Sequence, residues 1–238
     1  MKSLEEVWKD LEKYLNVENA LEEGFSNGKY TEVLARYAKH VTAIDVSEDF
    51  LAIAKNNLKE YNNIDLILMD ARHLSFSDKS FDVLLNTSFH EFDLSGDEYQ
   101  VDLNLKKEIL EEMIRVSNTI IFVEPTENAV TNELFKVFNP NENHSDRIYQ
   151  SNQLIGNVMR ENGYELVEYG LTYHKDQFSS IEELEEEMLS WWADIKVPQN
   201  EKEKRDMIKK IDQILNDAHM LEDLQVTEEI SYRVWRRK

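Results

Sequence analysis

Ala20-Leu-Glu22-Glu-Gly24-Phe-Ser26-Asn-Gly28-Lys-Tyr-Thr31 is the stretch on which the reading of this chain turns. Glycine is scarce, 6 in 238 residues, so Gly24 and Gly28 within five positions mark backbone bent for a purpose. The other four (Gly96, Gly156, Gly163, Gly170) are scattered. Ala20-Leu21 leads a short strand into Gly24. Residues 31–39 read as a helix with Val33, Leu34 and Tyr37 inward.

Outward from this unit the chain alternates. Upstream, residues 3–15 (SLEEVWKDLEKYL) carry apolar positions at helical spacing. Downstream, residues 41–44 form a short apolar strand ending in Asp45. Ser47 then caps a helix running to about Tyr61, and residues 64–69 and 81–85 are strands. Residues 103–116 are helical by their Leu105/Ile109/Leu110/Met113 stripe, followed by a strand over 119–123. Five short apolar runs alternating with helices imply a parallel sheet covered on both faces, because parallel strands need helical crossovers. After Pro125 the pattern changes. Residues 129–138 and 151–162 read as helices, the second ended by Gly163, and residues 164–173 and 226–235 read as strands. Between those strands lie two helical segments, 181–194 and 201–218, separated by Pro198. The expected fold is α/β: a doubly wound, mostly parallel seven-stranded sheet with a helical insertion before the last strand. No Gly/Ser linker interrupts it, so residues 1–238 read as a single domain. Its parts are an N-terminal helix in 1–17, a core in 18–175, a lid-like helical insertion in 176–225 and the last strand in 226–238.

Composition narrows the partners. Hydrophobic residues make up 41% and aromatics 10%, enough for a packed core. A net charge of −21 repels phosphate backbones and anionic lipid, which speaks against nucleic-acid or membrane partners. No apolar run approaches the ~18 residues of a membrane span, and the first fifteen residues are amphipathic rather than signal-like, so the expected location is cytoplasmic. Cysteine is absent, which excludes disulfides, thiolate metal sites and cysteine nucleophiles. The six histidines (His40, His73, His90, His144, His174, His219) lack paired metal-ligand spacing, so no metal is expected. There is no G-x-S-x-G elbow for Ser-centred hydrolysis.

In open α/β sheets ligands sit beyond the carboxyl ends of the strands, where strand order reverses. Three features land on that edge in successive units. They are the Gly24–Gly28 turn, Asp45 (21 residues beyond Gly24) and Asp70 with Ala71. A carboxylate ~20 residues past a glycine turn is placed to accept hydrogen bonds from ribose hydroxyls. The dinucleotide pattern G-x-G-x-x-G fails, because Ser26 and Lys29 stand at its second and third glycines; this disfavours a nicotinamide-dependent reductase.

Residues 20–31 resemble the first motif of class I S-adenosylmethionine-dependent methyltransferases. Val41-Thr-Ala-Ile-Asp45-Val-Ser47 resembles their ribose motif, and Met69-Asp70-Ala71 their adenine motif. Phe81-Asp-Val-Leu-Leu-Asn-Thr-Ser-Phe-His-Glu91 resembles the fourth-strand motif of the small-molecule, UbiE-like branch. The likeness covers residues 18–125 and implies a Rossmann-like methyltransferase fold with S-adenosyl-L-methionine as cofactor. Carried over, Glu22 and the turn of Gly24, Ser26 and Gly28 contact the methionine moiety, the alternative being Glu23 as the functional carboxylate in a shifted register. Asp45 with Val46 meets the ribose, Asp70 with Ala71 meets the adenine, and Asn86 lines the methyl-transfer pocket. Two positions depart from the pattern. Ser26 replaces a glycine, which is accommodated if its backbone stays in the ordinary region. Glu23 replaces a buried apolar residue, so either it faces solvent or the first strand ends early.

His90-Glu91 follows the fourth strand on the edge where an acceptor lies. Methyl transfer is an in-line displacement, so a base is needed only where the acceptor arrives protonated; His90 and Glu91 are the catalytic candidates, the alternative being a histidine packed under the next helix. Glu124-Pro125 is either a further pocket residue or a strand terminator. Trp191-Trp192 is either an aromatic wall for a cation or the anchor that docks the insertion, with the acidic run 182–187 as a solvated face. The leading expectation is methyl transfer to a small-molecule acceptor. The alternative is a non-catalytic cofactor- or partner-binding protein that keeps the fold. The sequence sets no oligomeric state.

Overall fold

The computed structural model describes residues 3–92, 101–141, 143–192 and 196–238. The apolar runs become strands β1 (Asn19–Glu23), β2 (His40–Asp45), β3 (Ile64–Leu68), β4 (Val83–Asn86), β5 (Thr119–Pro125), β6 (Tyr164–Gln177) and β7 (Gln225–Arg237). The helices are α1 (Leu4–Leu15), α2 (Lys29–Tyr37), α3 (Glu48–Asn57), α4 (Leu103–Val116), α5 (Thr131–Phe138), α6 (His144–Glu161), α7 (Ile181–Ser190) and α8 (Glu201–Asp217).

The strands form one seven-stranded sheet in the order β3-β2-β1-β4-β5-β7-β6. The first five are parallel, and β7 runs antiparallel to both β5 and β6. Strand order reverses between β1 and β4, which sets the ligand edge at their carboxyl ends. Successive side chains alternate between faces. Leu21, Leu84, Ile120 and Phe122 pack with Ile109, Leu110 and Met113 of α4 and Ile155 and Met159 of α6. Ala20, Val83, Leu85 and Ile121 pack with Val7 and Leu11 of α1 and Leu34 of α2. The same alternation sends Glu22 toward α2 and Glu23 toward α4. Each fully buried Leu, Ile or Phe contributes about 1.5–3 kcal/mol, so both faces are needed to hold so acidic a chain together.

Helix starts follow capping chemistry. The hydroxyl of Ser3 accepts from Glu6 N–H while the Glu6 carboxylate accepts from Ser3 N–H, and the hydroxyl of Ser47 accepts from Phe50 N–H. Helix α6 starts seven residues earlier than its apolar pattern indicates. Its first turns are polar, and Asn143 caps them by accepting from Asp146 N–H. The fourth strand is shifted to Val83–Asn86, leaving Phe81 as an isolated bridge to Ser117. Strand β6 runs on to Gln177, past the expected core boundary, because it pairs with β7 along its length. Helix α7 ends at Ser190, and the expected terminus at Asp194 lies outside the described residues.

The insertion between β6 and β7 is α7 and α8. Trp192 docks it, its ring meeting Phe135 at 5.4 Å and Phe138 at 5.3 Å on α5. Glu182, Glu183, Glu186 and Glu187 face solvent. Among the described residues, no helix is long and apolar enough to cross a membrane.

Candidate functional site

The chain leaves β1 through a turn with three left-handed residues: Gly24 (φ +79°), Ser26 (φ +47°) and Gly28 (φ +89°). Gly24 N–H donates to Ile44 O at 2.8 Å, and Gly28 N–H donates to Phe25 O at 2.8 Å. Glycine is required at both ends. A Cβ on Gly28 would stand 2.7 Å from Leu58 Cδ1, and one on Gly24 would stand 3.1 Å from the Phe92 ring and 3.3 Å from Ser88 Oγ. Ser26 does not keep ordinary dihedrals, contrary to expectation. A non-glycine residue there costs about 1–2 kcal/mol, and the turn is pinned because Ser26 N–H donates to Asp45 Oδ2 at 3.0 Å. The other oxygen, Oδ1, accepts from Ser47 N–H at 2.9 Å. Asp45 thus braces the loops after β1 and β2 while keeping lone pairs for a ligand. Beside it, Val46 is 72% exposed, an apolar side chain with nothing over it.

Glu22 and Glu23 are both completely buried, and none of their four carboxylate oxygens has a hydrogen bond. Burial pushes Glu22 up to about 8, opposed by the Thr31 hydroxyl beside it and reinforced by the charge of Asp45. Glu23 neither faces solvent nor lies past the strand end, as the sequence had implied. It is the last residue of β1, in register with Ile44 and Asn86. Burial drives its pKa well above the usual carboxylate range, offset in part by the nearby Asn86 amide. Asn86 accepts from Ser88 N–H through Oδ1 at 3.2 Å, while its Nδ2 has no acceptor.

Asp70 lies just past β3, followed by buried Ala71. Its carboxylate is already gripped by its own neighbour. Arg72 Nε reaches Oδ1 at 3.0 Å and Oδ2 at 2.9 Å, Nη2 reaches Oδ2 at 2.5 Å, and Arg72 N–H reaches Oδ1 at 2.9 Å. The Arg72 guanidinium holds the Asp70 pKa below the usual value.

Beyond β4, Phe89–Glu91 form one turn of 3-10 helix that buries His90. His90 Nδ1 makes a short contact with Glu124 Oε2, and Phe89 N–H donates to Glu124 Oε1 at 2.5 Å. Glu91 stands on the other side of the ring, 3.8 Å from Nε2. Burial lowers the His90 pKa, but the charge and hydrogen bond of Glu124 outweigh it and the net shift is upward. Glu124 is therefore a buried partner of His90 as well as a strand-end residue. Lys106 on α4 donates to the carbonyls of Phe89 (2.6 Å) and His90 (3.0 Å), fixing this turn. The His144 ring lies 5.2 Å from that of His90 and stacks on Phe135 at 4.6 Å. On β7, Glu228 accepts from the Thr131 hydroxyl at 2.6 Å, and burial raises its pKa.

Lys106, His144 and Glu228 escaped the sequence reading. Lys106 had a usable signal, since it shares the buried face of Ile109, Leu110 and Met113. His144 and Glu228 had none, as their neighbours come from distant segments. Among the described residues, no group of three or more His, Asp or Glu is placed to hold a metal ion.

Residues 20–119 match the family model described as a methyltransferase domain. The chain is 38% identical over 69 residues to nodulation protein S of Sinorhizobium fredii (strain NBRC 101917 / NGR234), covering 29% of this chain and 32% of that one. It is 41% identical over 68 residues to demethylmenaquinone methyltransferase of Tropheryma whipplei (strain Twist), covering 29% and 28% respectively. The matched segment therefore spans about a third or less of these curated relatives. Among solved structures, a protein of Bacillus halodurans C-125 superposes with TM-score 0.65 at 16% identity over 98% of this chain and 97% of its own. The N-methyltransferase NodS from Bradyrhizobium japonicum WM9 does so with TM-score 0.54 at 15% identity over 98% and 96%.

Proposed function

We propose, from the premise that this chain carries a class I S-adenosylmethionine-dependent methyltransferase domain, that it transfers a methyl group to a small-molecule acceptor. The observation that carries this reading is the braced turn between β1 and α2. Its amide at Ser26 is bonded to Asp45, and two residues before Gly24 its strand carries the buried carboxyl of Glu22, which makes no hydrogen bond. These groups fit the cofactor's chemistry: a buried carboxyl held neutral in the free fold gains a counter-charge and ionises when an ammonium arrives, and a half-buried carboxylate with spare lone pairs suits a diol. When bound, S-adenosylmethionine supplies an electrophilic methyl group on a sulfonium, and its displacement in line leaves a neutral thioether.

Glu22 and the backbone from Gly24 through Ser26 to Gly28 hold the methionine part. Asp45 takes the ribose hydroxyls, exposed Val46 covers one side of the adenosine, and Asp70 and Ala71 meet the adenine edge. Asn86 lines the methyl-transfer pocket. His90, oriented by Glu124, accepts the acceptor's proton where one must be lost, and Glu91 beside Nε2 gives that proton a route to solvent. Helices α7 and α8 serve as a partial lid within a single domain. The name of one curated relative, demethylmenaquinone methyltransferase, supports a small-molecule acceptor, and the net charge of −21 speaks against nucleic-acid or anionic-membrane partners.

Calorimetry with S-adenosylhomocysteine tests the reading. Measurable binding by the wild type is expected, with Asp45→Ala weakening it at least about tenfold through loss of charge-assisted hydrogen bonds and of the brace on Ser26. Absence of binding by the wild type would overturn the proposal.

A further inference from the structure

Glu23 has no task in holding the cofactor in this arrangement, yet it is as completely buried as Glu22. A fully buried carboxyl without hydrogen bonds persists only where something compensates for it. It stands directly before the Gly24 turn. Its register partner on β4 is Asn86, whose amide nitrogen is also buried and without an acceptor. The two groups stand side by side at the end of the β1/β4 seam, close enough for the amide to temper the carboxyl's rise but without a well-formed hydrogen bond between them, on the side assigned to methyl transfer rather than to the methionine end. The charged groups around Glu23 give it no partner. Glu112 on α4 is held by Arg115 at 2.7 Å and stands near His73. On β1 itself Glu22 points to the opposite face, on β2 lies Asp45 (bonded to Ser26 and Ser47 amides), and beyond Asn86 lies the His90–Glu124 pair. Lys106 is directed to the carbonyls of Phe89 and His90. A cation arriving at this seam would meet a proton-bearing acid able to become its counter-charge.

We propose that Glu23 is a charge-sensing residue of the donor site, neutral in the free protein and ionised against the positively charged sulfur of the bound methyl donor. This rests on the methyltransferase reading. Binding the donor breaks the Glu23 O–H bond and passes the proton to solvent. Removal of the methyl group leaves an uncharged sulfur, so the carboxylate takes a proton back and the product is held less tightly. Glu23 is a specificity-determining residue for donor over product, and the reacting carbon is left to other groups.

Titration calorimetry of the donor and of S-adenosylhomocysteine, each in two buffers of different ionisation enthalpy at pH 7, reads the proton directly. The wild type is expected to release close to one proton more with the donor than with the product. Glu23→Gln, which keeps the shape, is expected to abolish that excess and weaken donor binding about tenfold, with product affinity changed less than about twofold. Glu23→Leu, which restores an apolar side chain in the strand, is expected to give the same pattern and guards against a folding defect in the first variant. Equal proton release with both ligands in the wild type, or an excess that persists in both variants, would overturn the inference while leaving the methyltransferase reading intact. Failure of the wild type to bind either compound would overturn both.

Discussion

Ser26 is kept at φ +47° by a single hydrogen bond to Asp45. Ser26→Gly is expected to stabilise the protein by about 1 kcal/mol, because it removes left-handed strain without touching the bond from the backbone; chemical denaturation checks this. The two strand-end aspartates should differ in weight. Arg72 already fills the acceptor sites of Asp70, so Asp70→Asn is expected to weaken S-adenosylhomocysteine less than about threefold, well short of the effect at Asp45. His90 carries a testable pH signature. Glu124 keeps its imidazole protonated above the ordinary value of ~6.5, so a reaction that uses it as a base rises with pH along a limb above that value. Glu124→Gln should move the limb to lower pH, because burial then acts without its opposing charge, and a pH–rate profile on any accepted substrate would show it.

Among the elements, Trp192 is the weight-bearing contact of the α7–α8 insertion, with Phe135 and Phe138 on one side and Trp191 on the other. Trp192→Ala is expected to cost about 3–5 kcal/mol, read as early protease cleavage within the insertion, whereas half-buried Trp191→Ala costs far less. What the sequence disclosed at this scale follows from its chemistry. β1, β2, β4 and β5 were legible because their apolar runs are buried on both faces, and the Gly24–Gly28 turn because glycines are so few. The start of α6 was not, since its first turns bury His144 and Arg147, polar residues that break the apolar period. Glu23 was misread for a related reason: its polarity suggested solvent, but strand alternation sends it toward α4. The His90–Glu124 pair was present as two separate candidates 34 residues apart, and only the sheet brings them together.

For the molecule as a whole, Glu22 and Glu23 set a slope of stability against pH. Glu22 keeps its proton in the fold up to about 8, while the unfolded chain loses it near 4.5. Between those values the unfolded state binds fewer protons, so stability falls as pH rises, by about 5 kcal/mol for a full shift of this size. Glu23 adds to the slope in the same direction. Denaturant midpoints at pH 5.5, 7 and 8.5 should therefore decline, and Glu23→Leu should flatten the decline, gaining most at the highest pH. The sheet order has a consequence for how the chain assembles. β7 lies between β5 and β6 although it follows both in the chain. As the chain emerges from the ribosome, β6 has no strand of the sheet to pair with until residues 225–237 arrive, so that half of the sheet is completed after synthesis has passed β7, and a nascent chain stalled earlier leaves β5 and β6 with unpaired edges open to chaperones.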